Sequence, residues 1–471
     1  MRARLFKGCR PEVAAAFDGT ILAVGEGARA AAGRDAEVVE LEGRALPGLH
    51  DAHIHLEGLA DGRLSLELSG AHTRQEFLAS LRRACERLPE GAWLVGRGWY
   101  NDAWGDDPSW PRADEIERAV GGRPAFLRRK DGHSALVSRA AAGQLGSAAG
   151  TLKEGEAARA GEKVPKPGDA AFDRAMEQVL RGLARKGLTS LHSMDGPRAF
   201  RSWQRLAARG RLPLRVTWNL PMADLEHAER LGLRSGWGDD HLRIWGVKAF
   251  LDGSLGSRTA EMLDGSGQSV LPQDELVELV HRCARAELNV CLHAIGDAAV
   301  RRALDALEPL RGAWPRWRPR IEHAQIVAAT DRPRFARAGA IASMQPIHAV
   351  SDRPLADREW GSRCADAYAW RALAGAGAPL AFGSDAPVED ADPMLGLEAA
   401  SGWRRRAGWY PELALSRGAA LAAYTTGAAF AIGMERRLGR LRRGLLCDLT
   451  VADGNRVTAT VVGGVVTWRS A

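Results

Sequence analysis

The sequence predicts an α/β fold: a (β/α)8 TIM barrel, a small β-sandwich domain formed by both termini, and an α+β insertion after the first barrel strand. Three observations predict this fold. The chain has 471 residues, which suits one large barrel with a companion domain. Its middle part alternates short apolar runs with helical stretches. Both ends are rich in short apolar runs separated by turns.

The terminal domain is predicted from these short runs. Residues 14–17, 21–24 and 38–41 have the composition of strands, and residues 449–468 repeat the pattern at the other end. Because β-rich segments flank a long middle part, we expect the termini to meet. Residues 1–48 and 440–471 would then form the β-sandwich domain, and residues 49–439 the barrel domain.

Eight apolar runs predict the eight barrel strands. They lie at residues 50–55, 189–193, 214–219, 244–250, 290–293, 320–323, 341–345 and 380–384. Helical stretches such as 171–186, 274–286 and 297–310 fall between them. In a TIM barrel the catalytic groups lie at the carboxyl ends of such strands.

The insertion is predicted at about residues 64–168, because the distance from strand 1 to strand 2 is too long for a single crossover. Trp93, Trp99, Trp104 and Trp110 lie close together in this segment and predict a small core of its own. Its last part, 146–168, is rich in Gly, Ala, Glu and Lys and is typical of a mobile surface segment.

Composition excludes several classes of protein. The net charge is +7, but the basic residues are dispersed and not interleaved with aromatic residues, so nucleic-acid binding is not expected. The six cysteines show no metal-binding spacing. No apolar run reaches the roughly 18 residues that a membrane span requires. We therefore expect a cytoplasmic protein without a membrane partner.

A possible metal site begins with His53 and His55, which would share one face at the end of strand 1. A bare His-x-His pair is weak evidence. Four further residues, however, fall at the ends of later strands: Lys248, His293, His323 and Asp385. Nitrogen and oxygen ligands of this kind suit Zn²⁺ or a similar divalent ion.

Lys248 stands out because only seven of the 65 basic residues are Lys, and no other Lys follows Lys186. Unlike Arg, a buried Lys can lose its proton. The neutral amine could then take up CO₂ and become an oxygen ligand that bridges two metals. The alternative is a structural Lys paired with a carboxylate such as Asp252.

These motifs together resemble the amidohydrolase superfamily. The resemblance rests on the Pro-Gly-x-x-Asp-Ala-His-x-His pattern at 47–55 and on the later Val-Lys, His, His and Ser-Asp positions. More narrowly, residues 247–260, 292–297, 320–325, 344–348 and 383–388 are similar to the YtcJ-like branch, which includes N-substituted formamide deformylases. The likeness extends over nearly the whole chain.

The resemblance implies specific roles. His53 and His55 would hold one metal, and His293 and His323 a second, with a carboxylated Lys248 bridging them. Asp385 would contact a metal-bound water and act as the general base. We also place five residues near the substrate: His133, His348, Asp252, Arg258 and Trp99. Glu322 is expected to face away from the site, because it neighbours His323 on a strand.

The predicted function is metal-dependent hydrolysis of a C–N bond of the amide or N-formyl type in a small molecule. One alternative is a cyclic amide or heterocycle hydrolase or deaminase with the same metal site. Another is a non-catalytic ligand-binding barrel, although no metal ligand is missing. The sequence leaves open the substrate, the identity and number of metal ions, the carboxylation of Lys248, and the oligomeric state, for which a homodimer is the candidate.

Overall fold

The computed structural model of the protein describes residues 2–130 and 134–470. The chain divides into two compact units. One unit comprises Met1–Glu57 together with Glu177–Ala471, and the other is Gly58–Met176. The second unit contains the whole of the predicted insertion and a few residues on each side of it. Strands and helices are numbered below in chain order.

The first unit contains a seven-stranded sheet to which both termini contribute. Its strands, given in chain order, are β1 Arg4–Arg10, β2 Val13–Ala15, β3 Ile21–Val24, β4 Glu37–Pro47, β18 Leu449–Asp453, β19 Arg456–Val462 and β20 Val465–Arg469. β4 pairs parallel with β1 and antiparallel with β18, which joins the two ends of the chain. The successive side chains of Leu5 and Phe6 enter separate apolar clusters, because neighbouring residues of a strand point to opposite faces of the sheet.

The same unit contains the barrel, an eight-stranded sheet in the order β17-β16-β15-β14-β13-β12-β11-β5. Its strands are β5 Leu49–Ile54, β11 Leu188–Ser193, β12 Arg215–Pro221, β13 Leu242–Phe250, β14 Asn289–Ala294, β15 Arg320–His323, β16 Ile341–Met344 and β17 Leu380–Phe382. All neighbouring strands pair in parallel. The predicted strands agree with these within two residues at each end, and the predicted fold class is confirmed.

Two backbone hydrogen bonds bring the first and last barrel strands together. Asp385 N donates to His53 O at 2.7 Å, and His55 N donates to Ala386 O at 2.8 Å. The sequence segments that carry the predicted site at strand 1 and strand 8 are therefore direct neighbours.

The second unit contains the five-stranded sheet β10-β9-β8-β7-β6. Its strands are β6 Leu66–Glu67, β7 Leu94–Trp99, β8 Ala125–Arg129, β9 Ser134–Val137 and β10 Gly150–Lys153. Trp99 and Trp104 lie in one apolar core, with Trp110 packed against it. Trp93 packs against a second cluster.

The helices complete the two units. They are α1 Ala28–Ala32, α2 Leu56–Arg63, α3 Arg74–Arg87, α4 Ala113–Val120, α5 Arg139–Leu145, α6 Glu154–Lys163, α7 Asp169–Arg185, α8 Pro197–Ala208, α9 Leu225–Arg230, α10 Gln273–Arg285, α11 Asp297–Leu307, α12 Arg332–Ala338, α13 His348–Glu359, α14 Trp370–Gly375, α15 Pro393–Glu398, α16 Arg404–Ala407, α17 Arg417–Ala422 and α18 Ala428–Ala431. None of those in the described part of the chain has both the length and the apolar character needed to cross a bilayer.

The stretch 146–168 differs from its prediction as a mobile surface segment. It forms strand β10 and helix α6. Leu152, Ala157 and Ala160 are buried in the second cluster of the insertion. The spacing of Ala157 and Ala160 places both on one helix face, and this face packs into the cluster.

Candidate metal centre

His53 and His55 lie at the carboxyl end of β5 and converge on Asp385. The Nε2 atom of His53 is 3.5 Å from Oδ1 of Asp385, and the Nε2 atom of His55 is 3.2 Å from the same oxygen. The potential ligand atoms of the three residues lie within 4.8 Å of one another. This spacing suits three ligands of one cation.

Asp385 is held in the ionised state. Burial alone would raise the pKa of this carboxyl, but the imidazoles of His348 and His55 beside it hold that pKa well below its usual range. Its backbone φ is +61°, in the left-handed region, and its amide is bonded to His53. A strained residue fixed by neighbouring strands is typical of a functional position.

His323 and His348 form a second group of ligands with Asp385. Their candidate ligand atoms also lie within 4.8 Å of one another. The Nε2 atom of His348 is 3.4 Å from Oδ2 of Asp385. The sequence placed His348 near the substrate, and the structure places it among the possible ligands as well. Asp385 thus belongs to both groups.

Glu322 sets the tautomer of His53. Nδ1 of His53 donates to Oε2 of Glu322 at 2.7 Å, and both side chains are fully buried. The Nε2 lone pair of His53 is therefore directed at the site. This arrangement of carboxylate, imidazole and metal is common in metalloproteins.

The expectation that Glu322 faces away from the site is wrong. Arg320 and Glu322 share one face of β15, with 2.7 Å between Nε of Arg320 and Oε1 of Glu322. It is His323 that departs from strand alternation, because its φ is +70°. The left-handed turn directs the His323 ring to within 4.8 Å of the His53 ring, measured between centroids.

His293 is oriented by a backbone carbonyl. Its Nε2 lies 2.9 Å from Gly253 O, and since a carbonyl only accepts, Nε2 carries the proton. Its Nδ1 then has a free lone pair. The His293 and His323 rings are 4.5 Å apart, again between centroids. Burial and the nearby Lys248 lower the pKa of His293 to about 3, so the ring is neutral, as a metal ligand must be.

Lys248 is buried, and its Nζ has no hydrogen-bond partner among the described residues. Burial lowers the pKa of its amine. The alternative of an ion pair with Asp252 is wrong, because Asp252 instead accepts from the backbone N–H groups of Ile295 and Gly296, and from that of Glu261. Lys248 therefore has the environment of a chemically active amine.

The donors present fit a divalent metal. Four buried polar atoms in this region lack a hydrogen-bond partner among the described residues: His53 Nε2, His323 Nδ1, His348 Nε2 and Lys248 Nζ. Leaving such atoms unpaired costs free energy. Neutral imidazoles beside an ionised carboxylate are the ligands that Zn²⁺ and similar ions prefer.

The structure places the other residues that were predicted to contact the substrate in different surroundings. Asp252 braces the loop after β13 through its three backbone bonds, which explains its burial without a substrate. Trp99 is fully buried in the insertion core and donates its Nε1 to Leu127 O, so it offers no surface to a substrate. Arg258 is exposed and pairs with Glu359 at 3.0 Å. His133 lies outside the described residues.

Asp51 is a supporting residue that the sequence reasoning missed. It accepts from His53 N at 3.1 Å and from Ser384 N at 3.0 Å, and thus connects both ends of the site. Burial raises its pKa to about 7. A Cβ on Gly383 would come within 2.6 Å of Asp51 Oδ1, so glycine permits this close approach. The Asp-Ala-His sequence was the available signal.

The sequence profile of the amidohydrolase family matches residues 37–468. The chain belongs to the amidohydrolase family. YtcJ of Bacillus subtilis (strain 168) is 28% identical, over 96% of this chain and 92% of that protein. The N-substituted formamide deformylase of Arthrobacter pascens is 25% identical, over 91% of this chain and 87% of that protein. These matches confirm the resemblance noted in the sequence.

A solved structure agrees with the family assignment. It is an uncharacterized metal-dependent hydrolase from Pyrococcus furiosus, with a TM-score of 0.81 and 28% identity. The similarity covers 96% of this chain and 99% of that chain. This amidohydrolase therefore has metal-dependent hydrolases among its structural neighbours, and its own candidate ligands are grouped at the ends of the barrel strands.

Proposed function

We propose that this amidohydrolase cleaves a C–N bond of the amide or N-formyl type in a small molecule, using a metal ion and Asp385 as the general base. One observation carries the proposal. An ionised carboxylate, Asp385, is shared by two groups of histidines, His53 with His55 and His323 with His348, whose potential ligand atoms lie within 4.8 Å of one another and of its oxygens in each group. The similarity to an N-substituted formamide deformylase supports the choice of bond.

Two sets of residues would hold the metal. His53 and His55 would bind one ion beside Asp385, and His293 and His323 a second one, as first predicted. His348 is an alternative ligand of the second ion, because its Nε2 lies 3.4 Å from Oδ2 of Asp385. When bound, the metal supplies a water of lowered pKa and polarises the substrate carbonyl.

The protein's own residues would carry the proton. Oδ1 and Oδ2 of Asp385 face His55 and His348 respectively, so the carboxylate is held in place from both sides. Asp385 would accept the proton of the attacking water as the new C–O bond forms. It would return that proton to the nitrogen as the C–N bond breaks, so that a neutral amine leaves.

Lys248 would contribute as a carboxylated residue. Burial favours the neutral amine, which is the form that attacks CO₂. The carbamate would provide the oxygens that bridge two ions. We propose zinc as the metal, with two ions per chain when both sets of ligands are filled. Elemental analysis of the purified protein measures the identity and the number of the ions.

Asp385→Asn tests the general base. We expect metal content to fall modestly and kcat to fall by about a thousandfold or more. Asp448→Asn is the matched control, because Asp448 is equally buried but pairs with Arg215 away from the site. An Asp385→Asn protein with full metal and full turnover would contradict the assignment.

A substrate screen tests the bond type. N-formyl, N-acyl and cyclic amides are offered to the metal-loaded protein, and the released amine is measured. We expect turnover of N-formyl or N-acyl compounds. Turnover of cyclic amides alone would favour the alternative function, and stoichiometric metal without any turnover would favour a ligand-binding barrel.

A further inference from the structure

The insertion contains a cavity of its own, of about 390 Å³. Its lining comes from the β7 and β8 strands, from the α2 helix and the residues after it, and from the segment that follows α6. Val95, Phe126 and Val164 provide apolar surface. Arg97 and Arg128 stand beside them. The volume is within the range of small-molecule sites, roughly 300–1,000 Å³.

The two arginines are held side by side. Arg97 on β7 and Arg128 on β8 are register partners in a parallel pair, so their side chains leave the same face of the sheet. Like charges placed opposite each other on neighbouring strands repel. Lys166 adds a third positive charge to the same cavity. An anion between these groups would remove the repulsion.

Acidic neighbours compensate only part of this charge. Glu67 pairs with Arg97, with 3.3 Å between Oε2 and Nε. Asp61 also lines the cavity, but it has an interaction partner of its own. Across residues 2–130 and 134–470, no carboxylate pairs with Arg128 or Lys166, and the contact that Arg128 makes is with the Phe126 ring at 5.7 Å. Two cations of the cavity thus remain available.

Two glycines make room for the arginine head groups. A Cβ on Gly62 in α2 would overlap the guanidinium of Arg97. A Cβ on Gly161 in α6 would come within 2.5 Å of a guanidinium nitrogen of Arg128. The backbone of α2 therefore approaches the half-buried Arg97 guanidinium closely, and the backbone of α6 approaches that of Arg128, whose side chain is otherwise exposed.

We propose that this cavity is a binding site for a small organic anion, a carboxylate attached to an apolar body. The carboxylate would lie between Arg97 and Arg128, where guanidinium groups can donate paired hydrogen bonds. The apolar body would cover Phe126 and Val95. This site uses no residue of the metal centre and is independent of the proposed function.

The test uses the full-length protein and 4-ethylbenzoate as the probe, with neutral 4-ethylbenzamide for comparison. Calorimetry measures both affinities, with and without a chelator, since a carboxylate can also bind a metal. We expect the benzoate to bind at least about tenfold more tightly than the benzamide, and Arg128→Gln or Lys166→Gln to weaken benzoate binding by about tenfold.

The matched control is Arg118→Gln. Arg118 is exposed on α4, pairs with Asp114, and lies outside the cavity. Its replacement should leave the benzoate affinity unchanged. The proposal is overturned if benzoate and benzamide bind equally, if Arg128→Gln has no more effect than Arg118→Gln, if chelation alone abolishes binding, or if no binding occurs below about 10 mM.

Discussion

Replacing Glu322 by Gln tests whether a buried carboxylate in the barrel prepares His53 as a metal ligand. Glu322 accepts from His53 Nδ1 at 2.7 Å and pairs with Arg320, also at 2.7 Å. All three side chains are fully buried. The substitution keeps the size of the side chain and an acceptor oxygen but removes the negative charge from both contacts.

The magnitude follows from the two contacts. Leaving the Arg320 guanidinium without its counter-charge should lower the free energy of unfolding by about 3–5 kcal/mol. The negative charge of Glu322 also raises the basicity of His53, and a ligating His that loses such a partner typically costs about 10–100-fold in metal affinity. We expect both losses in Glu322→Gln.

Two measurements separate these effects. Urea unfolding of the metal-free protein gives the free energy of unfolding, and competition with a coloured chelator gives the metal affinity. Asp448→Asn is the control, because it breaks a second buried pair with Arg at 2.7 Å that does not touch a candidate ligand. It should lower stability to a similar degree while leaving metal affinity unchanged.

The reasoning would be refuted in either of two ways. Glu322→Gln could bind metal within about twofold of the unsubstituted protein, which would show that Glu322 does not tune His53. Alternatively, Asp448→Asn could lose metal affinity equally, which would show that the loss reflects general destabilisation. Loss of affinity in Glu322→Gln alone supports the proposed role.

Three further predictions concern the surroundings of the site. Burial lowers the pKa of His50 to about 4, so between pH 6.5 and 4 the unfolded chain takes up a proton that the folded chain does not, and the free energy of unfolding falls as pH falls. His50→Gln should reduce this fall by up to about 3 kcal/mol. Urea unfolding at several pH values measures it, and the same pH dependence in both proteins would contradict the prediction. Gly383→Ala should lower the free energy of unfolding by about 1–3 kcal/mol and weaken metal binding, because its Cβ would overlap Asp51. If both values are unchanged, the first and last barrel strands can move apart to make room for the methyl group, and the prediction is wrong. Asp252→Asn should speed amide hydrogen exchange at Ile295 and Gly296 several-fold, since an amide side chain cannot accept from all three backbone donors. Exchange as slow as before would show that Asp252 does not stabilise these backbone groups.

Much of the fold and of the candidate site could be predicted from the sequence. The eight barrel strands were predicted nearly to the residue, because each is an apolar run bounded by turn signals, and this signal is local. His53, His55 and Asp385 could be placed at strand ends for the same reason. Parallel strands in a barrel bring their carboxyl ends together whatever the details of packing.

Other features required the tertiary structure. The contact between His53 and Glu322 joins residues 269 positions apart, so no local sequence pattern predicts it. A motif also does not show which atoms a side chain contacts. Trp99 lies in the core of the insertion, and Asp252 accepts from three backbone N–H groups, while its place near a substrate stays a prediction. His348 could not be ranked as a ligand without its distance to Asp385.

The sequence by itself determined the barrel, the order of the candidate ligands along it and the unusual Lys248, since these depend on residue type and local periodicity. The tertiary structure alone decided how those ligands are aimed. His323 and Asp385 have left-handed φ angles of +70° and +61°, so the alternation of side chains that holds along a strand fails where the strand ends. Contacts from other strands surround both residues: Asp385 N donates to His53 O, Asp51 accepts from Ser384 N, and Glu322 accepts from the His53 ring beside His323.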